Sequence, residues 1–447
     1  MRVAVVLFTR DLRVHDNPAL AAAVAEAETV LPLFVLDDGI GRTRYGAAAS
    51  RHAFLLESLA DLETSLRELG AALDVRRGDV VAETVRAARE VGATTVFASA
   101  DVSPYAVARE RRLAAEVDLR LVDGNFVVPA GEVTPTGNDH YQVFSPYHRA
   151  WSQVAFRTPV PTPHTIRLPG GLCVDLAPPI TAAAANGPCV DSTQARMIGG
   201  ETEGVERAST WLRSRLDGYG SGGHDAIAED ATSRLSPYLH FGCVSARALA
   251  VRAQEHGGDA FVRQLCWRDF YAQILHAQPR IQVEDLRPRG DRWLDDPDAL
   301  AAWKEGLTGY PLVDAGMRQL RQEGWMHNRA RMVAASFLVK DLGIDWREGA
   351  RHFFDLLLDG DVAQNIGNWQ WVAGTGVDTR PNRVYNPTAQ LKKLDPEGDY
   401  VRRYVPELAD VPARAIAEPG LLAPAYPGPI VDHALAVEAF RLRRGVE

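Results

Sequence analysis

Along the first 122 residues, short apolar runs rich in β-branched side chains alternate with stretches of helical spacing. This alternation constrains the fold most strongly. Strands separated by helices pair as a parallel sheet, with helices covering both faces. The strand runs are Val3–Phe8, Thr29–Leu36, Ala71–Val75, Thr94–Ala98 and Leu119–Val122. Between them, Asn17-Pro18 opens an Ala-rich helix with proline at its first position. Ala47–Leu69 is amphipathic, Asp79 can cap the next helix, and Ser103-Pro104 starts another.

The character changes twice after that. Seven prolines and several glycines between Pro159 and Gly204 mark an irregular connection. Beyond Val205 the strand signals fade, and Ala260–Ala277, Tyr310–Glu323 and His327–Leu342 carry helical periodicity. The expected division is an α/β, Rossmann-like domain over 1–130, an interdomain linker over 131–204 and an all-α domain over 205–447. No GxGxxG follows the first strand, so the usual dinucleotide fingerprint is missing. GxSxG, HExxH and Walker A patterns are missing too, which sets hydrolase and NTPase readings low.

Composition narrows the class of partner. The formal charge is −9, from 49 Lys and Arg against 58 Asp and Glu, which argues against a polybasic coat for nucleic acid or membranes. Any anionic polymer would have to meet a local basic groove. Cys173, Cys189, Cys243 and Cys266 form no CxxC pair, as expected of a reducing cytoplasm. The start, MRVAVVLF, reads as a buried strand rather than a signal peptide, because Thr9-Arg10-Asp11 interrupts it. No run approaches the ~18 apolar residues of a membrane helix. Of nine tryptophans, only Trp151 precedes residue 205.

Several polar and aromatic clusters stand out. Thr232-Ser233-Arg234-Leu235-Ser236-Pro237 precedes a helical pattern and suits an anion site, or an ordinary cap. Gln264, Trp267, Arg268 and Tyr271 share one helix face. That face suits a pocket for a planar ligand, or a half-buried Trp beside a snorkelling Arg. Asn328 and Met332 are four apart and share another face, after a His327 that is more often structural than catalytic. Asp359-Gly360-Asp361, Asn365 and Trp369-Gln370-Trp371 form the densest cluster. Its carboxylates suit ribose hydroxyls or the edge of a heterocycle, and its two indoles should point in different directions.

These blocks, in this order, resemble the DNA photolyase/cryptochrome flavoprotein family. The resemblance runs from Arg10-Asp11-Leu12-Arg13-Val14-His15-Asp16-Asn17 to the Tyr426–His433 segment and includes Thr308-Gly-Tyr-Pro and Gly324–Arg329. It implies an N-terminal α/β antenna domain and an all-α C-terminal FAD-binding domain. By position, Tyr219, Thr232, Ser233, Arg234, Leu235 and Ser236 would meet FAD. Arg268 and Arg331 would lie near it, and Asp359, Gly360 and Asp361 would line the flavin and ribose edge. Asn365 falls where the family places a residue against flavin N5; plant cryptochromes typically carry Asp there. Trp293, Trp346 and Trp369 match the electron-relay tryptophans.

The resemblance also implies a substrate, DNA containing pyrimidine dimers, with the lesion flipped into a pocket. Trp267 and Trp371 match the aromatic walls of that pocket, with Gln264, Asn328 and Met332 beside them. Asn328 and Met332 favour cyclobutane dimers, because (6-4) photolyases carry histidines at both sites. The chain departs from the pattern twice. Gln264 stands where cyclobutane-dimer photolyases usually have Glu, which removes a proton source and supports the alternative of a cryptochrome-like photoreceptor without repair. Gly220–Gly223 stands where an Arg that contacts DNA is common. Arg329, Arg380, Arg383, Lys392 and Lys393 are the candidates for a basic groove. In the antenna domain, Ala108-Arg109 and Asp101–Tyr105 favour 8-hydroxy-5-deazaflavin over methenyltetrahydrofolate. The expected state is a cytoplasmic monomer with no membrane contact.

Overall fold

A computed structural model describes residues 2–40, 43, 48–170, 197–220, 227 and 231–445. Its sheet is built from β1 (Val3–Phe8), β2 (Thr29–Asp37), β3 (Asp74–Gly78), β4 (Thr95–Ser99) and β5 (Asp118–Val122). All pairings are parallel, in the order β3-β2-β1-β4-β5. The connecting helices are α1 (Pro18–Glu26), α2 (Ala49–Glu68), α3 (Val80–Val91) and α4 (Pro104–Ala114). The expected caps are in place: the side chains of Asn17, Asp79 and Ser103 accept from Leu20 N, Ala82 N and Ala106 N. Val5, Leu7, Leu31, Leu33, Val96 and Ala98 pack against Val81, Val85 and Ala88 of α3.

Strand order reverses between β1 and β4. In an open α/β sheet, that point leaves a crevice beyond the carboxyl ends of the strands. Here Ser99 Oγ donates to Asp11 Oδ2 at 2.7 Å, and the Arg10 guanidinium reaches Asp101 at 3.3 Å.

Beyond the sheet the described elements are helical. They are α5 (Phe144–Trp151), α6 (Glu201–Tyr219), α7 (Ser236–Phe241), α8 (Ala246–Glu255), α9 (Asp259–Ala277), α10 (Pro297–Glu305), α11 (Pro311–Glu323) and α12 (Asn328–Ser336). After a π-helical turn at Phe337–Asp341 come α13 (Trp346–Leu356), α14 (Val362–Ala373), α15 (Pro387–Leu394), α16 (Asp399–Tyr404) and α17 (His433–Arg444). Among the described residues, no helix is long and apolar enough to cross a membrane.

The chain forms two compact units, one of 1–216 with 233–279 and one of 217–232 with 280–447. Packing therefore draws its line elsewhere than the boundary at 204/205. Buried side chains explain why α7–α9 stay with the sheet. Arg13, 1% exposed, donates to the carbonyls of Gly124 and Gly242. Glu201 accepts from the backbone N–H of Val14 and His15, and Ser245 Oγ donates to Asp16. Gly242, at φ 68°, is needed there, since a Cβ would lie 1.9 Å from the Arg10 carbonyl oxygen. The stretch expected as a linker contains α5, and the segment 171–196, with Cys173 and Cys189, lies outside the described residues. Cys243 and Cys266 are buried free thiols.

Candidate functional site: a polar cradle and its tryptophans

In the sheet-bearing unit, α9 carries Gln264, Trp267 and Arg268. Gln264 is exposed and Trp267 and Arg268 are half-buried, whereas Tyr271 is buried. Three contacts fix the helix's rotation. Asp269 Oδ2 accepts from Val128 N at 2.9 Å and from Trp151 Nε1 at 3.0 Å. Gln273 bonds both the N–H and the carbonyl of Tyr141. Trp267 stacks on Phe144 of α5, with ring centroids 3.6 Å apart and planes within 5°. One indole face is thus taken, and a planar ligand can meet Trp267 only from the other side. The Arg268 guanidinium donates to Asn125 O and Leu239 O and lies 4.9 Å from the Phe126 ring centre.

The block before α7 departs from an ordinary cap. Leu235 occupies the cap position, and no side chain caps the helix. Arg234 sits at φ 53°, a left-handed backbone that costs a non-glycine residue about 1–2 kcal/mol. Ser233, Arg234, Leu235 and Ser236 lie in this unit, while Tyr219 and Thr232 lie in the other. Thr232 Oγ1 is buried with no hydrogen-bond partner among the described residues, and Tyr219 is 9% exposed. Ser221, Gly222 and Gly223 fall outside the described residues.

In the second unit, α12 and α14 carry most of the remaining candidates. His327 is buried and caps α12, its Nδ1 accepting from Arg329 N at 3.1 Å. Asn328 Nδ2 donates to Met332 Sδ at 3.6 Å, so the two do share one face. Arg331 grips Asp359 through two parallel bonds of 3.1 and 2.9 Å and donates through Nε to Met326 O. After Gly360, Asp361 caps α14 by accepting from Gln364 N. Each aspartate thus has an assigned partner. Asn365, 8% exposed, donates through Nδ2 to Ala350 O of α13 at 2.9 Å, which fixes the direction of its amide.

The two indoles of α14 differ in exposure. Trp369 is 2% exposed, and its Nε1 is buried with no hydrogen-bond partner among the described residues. Trp371 is half-buried with the Arg383 guanidinium 5.4 Å from its ring centre. Trp346 is fully buried and donates to Asp285 Oδ1 at 2.9 Å. Trp293 is half-buried. Of the expected basic residues, Lys392 is paired with Glu418 at 3.0 Å. Arg380, Arg383 and Lys393 are exposed, and Arg329 is half-buried.

Sequence reasoning missed Phe144 and Asp285. Trp303 is fully buried, bonds Ala334 O and meets Trp369 edge-on at 6.1 Å. These contacts join residues distant in the chain, and no local pattern marks them.

The arrangement suits a flavin nucleotide. Thr232 Oγ1 and Trp369 Nε1 are buried polar atoms that a bound group would satisfy. The same unit presents an ion-paired carboxylate, an oriented amide and oxidisable indoles. Residues 4–164 match the DNA photolyase family model, and residues 261–444 match the FAD binding domain of DNA photolyase. The chain is 51% identical to the deoxyribodipyrimidine photo-lyase of Streptomyces griseus, with 100% of both chains covered. It is similar to the crystal structure of a class III photolyase from Agrobacterium tumefaciens, with TM-score 0.91, 32% identity and 100% and 97% of the two chains covered. It is also similar to a Sulfolobus tokodaii photolyase that holds two FAD molecules, with TM-score 0.88, 30% identity and 99% of both chains covered.

Proposed function

The chain belongs to the DNA photolyase family, and from that premise we propose that it repairs cyclobutane pyrimidine dimers in DNA under light. FAD held in the site would supply, when reduced and under light, an electron that is returned once the cyclobutane ring has opened, so the reaction would be redox-neutral overall.

The observation that carries this reading is α14. One short helix holds a capping carboxylate at Asp361, an amide fixed by Ala350 at Asn365, a buried indole at Trp369 and a half-buried indole at Trp371. With its Nδ2 held by Ala350 O, Asn365 would present its amide to the flavin ring. Arg331 neutralises Asp359 and holds it for the flavin and ribose edge. Tyr219, Thr232, Ser233, Arg234, Leu235, Ser236 and Arg268 make the remaining cofactor contacts. Trp293, Trp346 and Trp369 pass electrons from the surface inward, in keeping with a half-buried Trp293 and a buried Trp346 and Trp369. Trp267 and Trp371 stack on the extruded bases, each worth about 1–3 kcal/mol. Gln264, Asn328 and Met332 read the polar edges of the dimer. Neither Asn328 nor Met332 donates a proton readily, which fits ring splitting by electron transfer alone.

Residues 1–130 would hold the antenna, 131–204 the connection and 205–447 the FAD and DNA. An 8-hydroxy-5-deazaflavin antenna is preferred over methenyltetrahydrofolate, on Ala108-Arg109 and the Asp101–Tyr105 segment. The protein would act as a cytoplasmic monomer. Gln264 favours a second reading, a photoreceptor without repair. Purified protein should show a flavin spectrum and restore the 260 nm absorbance of a dimer-containing oligothymidylate under blue light. Colourless protein would contradict the proposal.

A further inference from the structure

We infer that Asp285 and Arg347 together set the charge that Trp346 carries while it passes an electron. Asp285 stabilises the oxidised indole through its N–H, and Arg347 keeps that proton from leaving. The inference deepens the electron-relay part of the proposed function and rests on it.

The indole of Trp346 is fully buried at the start of α13, and two charges address it. At its edge, Nε1 donates to Asp285 Oδ1 at 2.9 Å. Over its face, the Arg347 guanidinium lies 4.6 Å from the ring centre. The two charges are themselves joined, because Arg347 Nη2 donates to the same Asp285 oxygen at 2.8 Å. Arg347 is fixed from two further sides, by Val283 O at 2.9 Å and by Asp345, the cap of α13, at 3.1 Å. A carboxylate is more than a buried indole needs for its hydrogen bond. A backbone carbonyl suffices for Trp303, which donates to Ala334 O.

Gln370 builds the segment that presents Asp285. This side chain is 2% exposed and sits in α14 between Trp369 and Trp371. Its Nε2 donates to Ile281 O at 2.7 Å and to Glu284 O at 2.9 Å, and its Oε1 accepts from Leu286 N at 2.8 Å. The chain is thus gripped on both sides of Asp285. The acceptor for one relay indole is held by the residue next to another.

In the step concerned, oxidised Trp369 takes one electron from Trp346, which is left as an indole radical cation. Losing the electron makes Nε1–H a stronger acid and a stronger donor, and the Asp285 carboxylate holds it by a charge-assisted bond. Moving the proton onto Asp285 would leave the Arg347 guanidinium facing a neutral acid, so Coulomb attraction keeps it on Nε1. No bond to hydrogen breaks, and one electron from Trp293 restores neutral Trp346. A proton lost to Asp285 would instead leave a neutral indolyl radical, a weaker oxidant, and strand the oxidation at Trp346. Arg347 also repels the positive ring from its face, which favours passing the charge outward to Trp293.

The test is flash photolysis of the FAD-loaded, oxidised protein in a Trp293→Phe background, where the positive charge stops at Trp346. This reference should show the spectrum of an indole radical cation, with a decay that heavy water leaves unchanged. Asp285→Asn keeps an acceptor oxygen and removes the charge. It should shift the oxidation back towards Trp369 and speed recombination about tenfold, the worth of one charge-assisted hydrogen bond. Arg347→Gln frees Asp285 as a base, and should turn the signal into that of the neutral radical and bring in a heavy-water effect. Arg347→Lys keeps the charge and should restore the cation spectrum. Altered packing alone would change neither the identity of the radical nor the isotope effect. In the dark, the Trp346 Nε1–H magnetic resonance should move in Asp285→Asn. Reference-like decay and spectra in both Asp285→Asn and Arg347→Gln would overturn the inference, as would a neutral radical in the reference. Trp346→Phe, made in the otherwise unaltered protein, separates the two claims. Unimpaired photoreduction there contradicts the relay and the inference with it. Slowed photoreduction beside indifferent Asp285 and Arg347 variants removes the inference alone.

Discussion

The indole of Trp369 ends against Gly349, three residues along α13 from Trp346. A Cβ on Gly349 would lie 2.2 Å from Trp369 Cη2. The absence of that carbon lets a buried indole of α14 reach the backbone of α13, on the turn that begins with Trp346. Gly349→Ala should push Trp369 aside, lower stability by about 1–3 kcal/mol and slow photoreduction of oxidised FAD. Thermal melting and flash photolysis check both effects. An unchanged photoreduction rate would separate Trp369 from the relay.

Trp346→Phe should slow photoreduction by an order of magnitude and spare repair once FAD is reduced chemically. The fold tolerates the change, because Asp285 keeps Arg347 at 2.8 Å after losing the indole N–H. Equal loss of photoreduction and repair would contradict the relay assignment.

Gln264→Glu should raise the repair yield per absorbed photon by up to a few-fold. The side chain is exposed on α9, so a carboxyl fits there and adds the proton and charge that Gln lacks. Repair of a dimer-containing oligonucleotide under counted photons measures it. An unchanged or lower yield would mean that this pocket compensates by other means.

Asp269 predicts a pH dependence. Burial pushes its carboxyl up from 3.8 to about 6, against the lowering effects of Arg268 and the N–H groups of Val128 and Trp151. The folded protein therefore takes up this proton before the unfolded chain does. Stability should fall as pH rises from about 4 to about 6, by at most about 3 kcal/mol, and show no further loss from this group above that. Asp269→Asn keeps an oxygen for Val128 and Trp151 and should remove this part of the pH slope. Melting curves of parent and variant across this range provide the check; identical slopes would contradict it.

The sheet and the caps were legible because their signals are local. Asn17-Pro18, Asp79 and Ser103-Pro104 dictate helix starts whatever surrounds them. The third strand was displaced because pairing, not hydrophobicity, selects it. Ala71–Leu73 are the buried apolar residues, but register with Leu33 begins at Asp74 and carries Arg76 and Arg77 into the strand. The motif from Arg10 to Asn17 marked the family, yet the contacts seen at Arg13, Asp16 and Asn17 are structural: they tie the β1–α1 loop to Gly242 and Ser245 and cap α1. At the candidate site, residue types and helix faces were legible. The Phe144–Trp267 stack and the Trp369–Gly349 approach were not, because each depends on how separate helices pack.

The most direct test of light-driven repair by reduced FAD is a single-turnover assay on a dimer-containing oligonucleotide, with FAD fully reduced or oxidised, in blue light or in darkness. The account predicts restored thymines only with reduced protein in light, and no net oxidation of the cofactor. Bound, fully reduced FAD that leaves the dimer intact under light would contradict it.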